Sequence, residues 1–182
     1  MPGAFDSIAS ATVSNNSTTT VTFDNIPQTY KALHIRGSLR IDTRSDITGW
    51  YAAGFLINND VASSGNKYAW QRISVSNGTI GAAYESYTNP DRFYWPYAPT
   101  DKTAANLYAA YTIDIFNYTN TSTRKSVKCS SSFASTTGGD SAGIYVNGVY
   151  SGTSAITRLD FTLIGGTFFL SNGSTFALYG VK

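Results

Sequence analysis

The stretch Leu33-His34-Ile35-Arg36-Gly37-Ser38-Leu39-Arg40-Ile41 decides the fold. Leu33, Ile35, Leu39 and Ile41, with Gly37 between them, fall on one side of a period-two alternation, and His34, Arg36, Ser38 and Arg40 fall on the other. Successive side chains of a β-strand point to opposite faces, so this run predicts a strand buried on one face and wet on the other, the habit of antiparallel sheet. The pattern recurs. Tyr111, Ile113 and Ile115 alternate with Thr112 and Asp114, and Val127, Cys129, Ser131 and Phe133 alternate with Lys128, Ser130 and Ser132.

Working outward, further strands are expected at Ser7 to Val13, Thr19 to Phe23, Tyr51 to Ile57, Tyr68 to Val75, Gly143 to Val146, Val149 to Ser151, Ile156 to Leu163, Phe168 to Ser171 and Thr175 to Val181. Asn77-Gly78, Asn147-Gly148 and Asn172-Gly173 each fall between two such runs. Asn and Gly tolerate the positive φ angles of a tight hairpin turn, so each pair predicts a hairpin. Short strands at this spacing, with no helical pattern between them, predict an all-β fold. The expected form is an antiparallel, jelly-roll-like β-sandwich of about 10 to 12 strands with little or no helix, forming a single domain over residues 1–182. Residues 85–106, with Pro90, Pro96 and Pro99, form the longest stretch without alternation and are expected to be one long loop.

Composition agrees. Of 182 residues, 13 are Tyr, 10 Phe, 22 Ser, 23 Thr and 13 Asn, against one Glu, one Met and six Lys. Such a mixture favours strands and turns over helix. With 13% charged residues and a net charge of +2, the chain carries neither a basic stripe for nucleic acid nor an acidic tail. A single Cys gives no intramolecular disulfide. The opening MPGAFDSIAS has no basic and apolar leader, and no stretch reaches the roughly 18 apolar residues of a membrane helix. A soluble chain made in the cytoplasm, without membrane insertion, is the expectation.

Residues able to carry chemistry are few. One His and one Cys cannot complete a zinc centre. Oxygens of Asn58, Asn59 and Asp60, or of Asp140, are the only candidates for calcium, without the ligand spacing of a known loop, and no metal or cofactor is expected. His34 stands at an outward strand position, and no Gly-x-Ser-x-Gly elbow accompanies it. Asp114 and Asp160 both lie in strands and are the carboxylates to consider for glycosidic cleavage. No nucleotide-binding loop occurs; Gly138-Gly139 and Gly165-Gly166 are expected to be turns. No enzymatic activity is expected. The sharpest local feature is Phe93-Tyr94-Trp95-Pro96-Tyr97. Rings in a Pro-stiffened loop can anchor a subunit interface, stack on a glycan, or fold inward as a lid over the core. Phe93, Tyr94, Trp95 and Tyr97 are therefore the interface or glycan-contact candidates, while Trp50 and Trp70 are assigned to the core.

Four segments carry a resemblance: SIASATV (7–13), VTFDNIPQTYKALHIRGSLR (21–40), AAYTIDIFNYTNTSTRKSVKC (109–129) and SAITRLDFTLIGGTFFLSNGSTFALYGVK (154–182). On these the chain resembles small virion proteins of tailed bacteriophages, especially those of aquatic and cyanobacterial hosts; residues 58–105 are the least similar. The resemblance implies a non-enzymatic structural protein on the outer surface of the virion: a capsid decoration or cement protein, or a head-fibre, tail-fibre or knob subunit. Its partners would be capsid or tail subunits and further copies of itself, in a homo-oligomer such as a trimer. A module recognising host surface glycans is the alternative. No catalytic residue is carried over.

Overall fold

The computed structural model describes residues 4–43, 49–61, 67–85, 91–94, 96–135, 140–163 and 168–182, the side chains of 83–85 excepted. Among these there is no helix. Fourteen strands run in the order β1 (Phe5–Thr12), β2 (Thr20–Phe23), β3 (Ala32–Leu39), β4 (Ile41–Asp42), β5 (Trp50–Ile57), β6 (Tyr68–Ser76), β7 (Thr79–Glu85), β8 (Tyr97–Pro99), β9 (Ala109–Phe116), β10 (Lys125–Ala134), β11 (Ser141–Tyr150), β12 (Leu159–Leu163), β13 (Phe169–Leu170) and β14 (Thr175–Val181). An eight-stranded sheet has the order β1-β14-β3-β9-β10-β11-β6-β7, a four-stranded sheet the order β2-β12-β5-β8, and β13 pairs with β4. The pairings between named strands are all antiparallel. The chain passes repeatedly from the larger sheet to the smaller and back, and the fold is an all-β sandwich.

The run that opened the sequence analysis lies in the middle of the larger sheet. Leu33, Ile35 and Leu39 are buried, and Leu33 and Ile35 pair across to Ile115 and Ile113 of β9. Inner faces of both sheets feed one continuous apolar cluster. Its centre is aromatic. Phe161 of β12 has Phe23, Phe55 and Phe176 around it at ring distances of 6.1, 5.8 and 5.2 Å. Phe176 belongs to the opposite sheet, so this contact joins the layers. Cys129 is fully buried, and burial pushes its thiol well above the ordinary range.

Four local expectations require correction. Asn147-Gly148 makes no turn: β11 runs straight through it, paired on one side with Lys128 and Val127 and on the other with Gln71 and Trp70. Ladders on both sides hold these residues extended, overriding the local turn preference. Asn172-Gly173 does turn, with Gly173 at φ +86° and the Ser174 N–H donating to the Ser171 carbonyl, but its flanks enter different sheets and form no hairpin. Only Asn77-Gly78, at φ +49° and +80°, closes a hairpin, between β6 and β7. The strand expected from Ile156 begins instead at Leu159, because Ile156 is tied to Tyr118 and Gln28 through its backbone. Residues 85–106 are not one loop: β8 pairs with the start of β5, and Phe93 bridges to Phe55. Gly138-Gly139 and Gly165-Gly166 lie outside the described residues.

Lys125 and Asp160 are buried charged groups with partners inside the chain. Lys125 is wholly buried in β10, and its ammonium donates to the carbonyls of Asn120, Thr123 and Thr153, the last at 2.9 Å. Asp160 is 3% exposed and accepts from Arg158 and from Thr22. Burial raises the Asp160 carboxyl, but the hydrogen bonds from Arg158 and Thr22 outweigh it and hold the group below its ordinary 3.8.

Replacing Lys125 with Met keeps the volume but orphans three carbonyls, and is expected to cost about 2–4 kcal/mol in urea unfolding. A carboxyl that titrates lower in the folded chain than in the unfolded one stabilises fully above the unfolded value and loses that stabilisation as pH falls through the folded one. Melting temperature should therefore drop steeply below about pH 4. Asp160→Asn should be less stable at neutral pH and fall less on acidification.

Candidate functional site

Of the four aromatic candidates, Phe93 and Tyr97 are turned inward. Phe93 is fully buried, 4.8 Å from the Phe55 ring and 4.9 Å, edge-on, from that of Tyr68. Tyr97 is 7% exposed and stacked on Trp50 at 4.4 Å, with the Arg72 guanidinium 5.1 Å from its centre. Tyr94 is half-buried. Its hydroxyl donates to Asp91 at 2.7 Å, and burial followed by the Asp91 carboxylate pushes its pKa up to about 12. Trp95 lies outside the described residues. For Phe93 and Tyr97 the arrangement is the inward lid, and neither ring is offered to a partner. Trp70 is buried, and Trp50 is half-buried beneath Tyr97.

Nor does the structure bring the singled-out polar residues together. Asp114 lies on the larger sheet and Asp160 on the smaller, both at positions alternating with core residues, so they leave opposite outer faces of the sandwich. The Asn58 side chain is engaged with backbone of the 155–158 segment, and the Asp60 carboxylate accepts from Lys67 and Tyr150 at 2.6 Å each. Asp140 joins no metal-ligating group, and no three His, Cys, Asp or Glu residues cluster among the described residues. His34 Nδ1 is 2.6 Å from Asp114, its cross-strand neighbour, and its ring lies 5.3 Å from Phe5 and 6.3 Å from Tyr179.

Sequence reasoning missed the outer face of the larger sheet. Alternation predicts polar residues there, and β3 and β10 supply them: His34, Arg36 and Ser38 on the first, Lys128, Ser130 and Ser132 on the second. At the β11-β6-β7 end the pattern reverses. Ile73 is 60% exposed, Val75 44%, Ile80 76% and Tyr145 47%. Register places them in two adjacent rows, Tyr145-Ile73-Ala82 and Gly143-Val75-Ile80. The inward positions of β6 beyond Trp70 are meanwhile Arg72, Ser74 and Ser76. Strand β8, the end of the smaller sheet, packs against β9, β10 and β11, the Arg72 guanidinium of β6 lies over the Tyr97 ring, and Trp50 of β5 donates to Ser76 at the far end of β6 at 3.3 Å, while β7 stands at the edge of the larger sheet.

The apolar rows form one wall of a shallow depression of about 480 Å³. Ala110, Ser130, Ser132 and Gly143 also line it, and among the described residues no charged one does. Beyond it the outer edge of β7 has no strand beside it among the described residues. An uncharged apolar face next to an open sheet edge has the chemistry that protein contacts use. One sequence signal marks it: within residues 68–75 the apolar positions change phase, from Tyr68 and Trp70 on one face to Ile73 and Val75 on the other.

No protein-family model matches the chain, and no curated protein matches it in sequence.

Replacing Ile73 and Ile80 with Thr is expected to change unfolding free energy by less than about 0.5 kcal/mol per site, since neither side chain is buried. Binding of the apolar dye ANS to the native chain should fall in the same variant. Unchanged dye fluorescence would show that the rows are not an apolar surface in solution.

Proposed function

We propose that this protein is a non-enzymatic structural subunit of a bacteriophage virion, exposed on the particle's outer surface as a capsid decoration or cement protein or as a fibre or knob subunit. It works by burying surface against neighbouring subunits. The observation that carries this reading is the pair of apolar rows, Tyr145-Ile73-Ala82 and Gly143-Val75-Ile80, on the outer face of the larger sheet toward its β7 end. A stable monomer gains nothing by placing four large apolar side chains in water. Covering them with a partner is worth roughly 1–2 kcal/mol each. The resemblance of the segments at 7–13, 21–40, 109–129 and 154–182 to phage virion proteins supports a phage particle as the assembly.

The partners are further copies of the chain and other virion proteins. Contacts of this class bury on the order of 1,600 Å², more than these two rows provide, so the open β7 edge and its surroundings are part of the interface. A subunit that binds only the assembled lattice stabilises that lattice by mass action.

Antibodies raised against the chain are expected to label intact phage particles, and the purified chain should elute above monomer mass. The double variant Ile73→Lys, Ile80→Lys should be displaced from particles and run as a monomer while keeping its melting temperature. Particles that carry none of this chain, or a double variant that assembles like the parent, would overturn the proposal.

A further inference from the structure

At another place on the sandwich, away from the apolar rows, the β3–β4 corner, the segment leading into β9 and the β13–β14 turn enclose a cavity of about 310 Å³. Its character is opposite to that of the outer-face depression. Arg40, Asp42, Asp101, Asn106, Tyr108 and Asn172 supply most of its lining. We propose that this cavity is a binding site for a neutral saccharide unit. The inference goes beyond the subunit-contact reading and does not depend on it.

The chemistry of the lining selects the ligand class. A cation would need the two carboxylates, yet the Arg40 guanidinium stands in the same cavity. Asp101 is also already engaged, through one oxygen with the Thr43 N–H and hydroxyl at 3.0 Å and through the other with Lys102 at 3.2 Å. An anion would meet Asp42 and Asp101. A large apolar group would find little besides the Tyr108 ring to lie against. What remains is a neutral group that gives and takes hydrogen bonds at several points, and sugar hydroxyls do both.

The frame is built, and two of its side-chain amides stand apart from it. The Arg40 guanidinium donates to the Asp101 carbonyl at 3.0 Å, Tyr108 to the Asn172 carbonyl at 2.6 Å, and the Asn172 N–H to Asn16 at 2.6 Å. These bonds fix the loops without consuming the side-chain amides of Asn106 and Asn172, which make no hydrogen bond among the described residues. Asn106 holds a left-handed backbone at φ +59°. Ser171, also in the lining, is 6% exposed, and its hydroxyl has no partner among the described residues, as is true of Arg40 Nε. Buried polar groups are normally satisfied, and two orphans on lining residues of one polar cavity mark a place that a bound hydroxyl and small side-chain shifts would complete. The volume is at the small end of ligand sites and suits one or two sugar rings.

The test is a ¹⁵N-HSQC titration of the whole chain with D-glucose, D-galactose, D-mannose, L-rhamnose and N-acetyl-D-glucosamine, with N-acetylneuraminic acid and calcium chloride as charged controls. At least one neutral sugar is expected to give saturable shifts at the amides of Arg40, Asn106, Tyr108 and Asn172. The double variant Asn106→Gly, Asn172→Ala keeps the left-handed backbone and removes both amides. It should lose at least about tenfold in affinity, the worth of one good hydrogen bond, while melting like the parent. The proposal is overturned if no neutral sugar shifts these amides, if the double variant binds equally well, or if calcium or the acidic sugar binds in preference.

Discussion

Everything in this molecule follows from a mismatch in strand number. Burial of apolar surface drives the fold, and a sheet buries its inner face only where another layer lies over it. Here eight strands meet four. Where the layers overlap, the core is dry and aromatic, with Phe161 reaching Phe176 across the sheets. Toward the β7 end the inner face of β6 turns polar, with Arg72 against Tyr97 and Ser76 against Trp50, and the apolar residues move to the outer face. The inward aromatic loop belongs to the same arrangement: Phe93 and Tyr97 extend the smaller sheet past β5 and cover ground that its three longer strands do not.

That division sets what could be read from the sequence. Alternation was a sufficient guide wherever a strand has a core beneath it, as in Leu33 to Leu39, Ala109 to Phe116 and Lys125 to Ala134. It failed along β6, since a phase change within residues 68–75 conveys that both faces are apolar but not which of them lies inward. Turn chemistry was reliable only at the edge. Asn77-Gly78 joins β7 to β6, where no second neighbour competes, whereas Asn147-Gly148 sits between two paired strands that hold it straight. The aromatic loop was conspicuous in the sequence, yet its inward direction depends on the antiparallel bridge from Phe93 to Phe55, a contact between residues far apart along the chain.

The polar cavity was invisible for a related reason. Its lining comes from four separate stretches: Asn16, the β3–β4 corner, residues 101–108 and the turn after β13. None of these carries a motif, and each alone is an ordinary polar connection. Tertiary hydrogen bonds, such as that from Tyr108 to the Asn172 carbonyl, bring them to one place. Sites assembled from loops on a rigid frame leave no local pattern in the sequence.

The two surfaces make different physical demands, and the fold keeps them apart. A contact face gains from being apolar and uncharged, because every charge buried without a partner subtracts from association. A polar cavity gains from fixed donors and acceptors that remain wet until a ligand replaces the water. Merging them would weaken both. The open β7 edge carries the greater risk, because an unpaired strand beside apolar rows recruits any exposed strand, the chain's own copies included. Among the described side chains of that edge, Thr79 to Ala82, there is neither the Lys nor the Pro that usually guards such an edge. In the assembly proposed above a partner covers both this edge and the apolar face, and a particle that presents many copies in fixed orientation would supply one without opening the route to indefinite stacking.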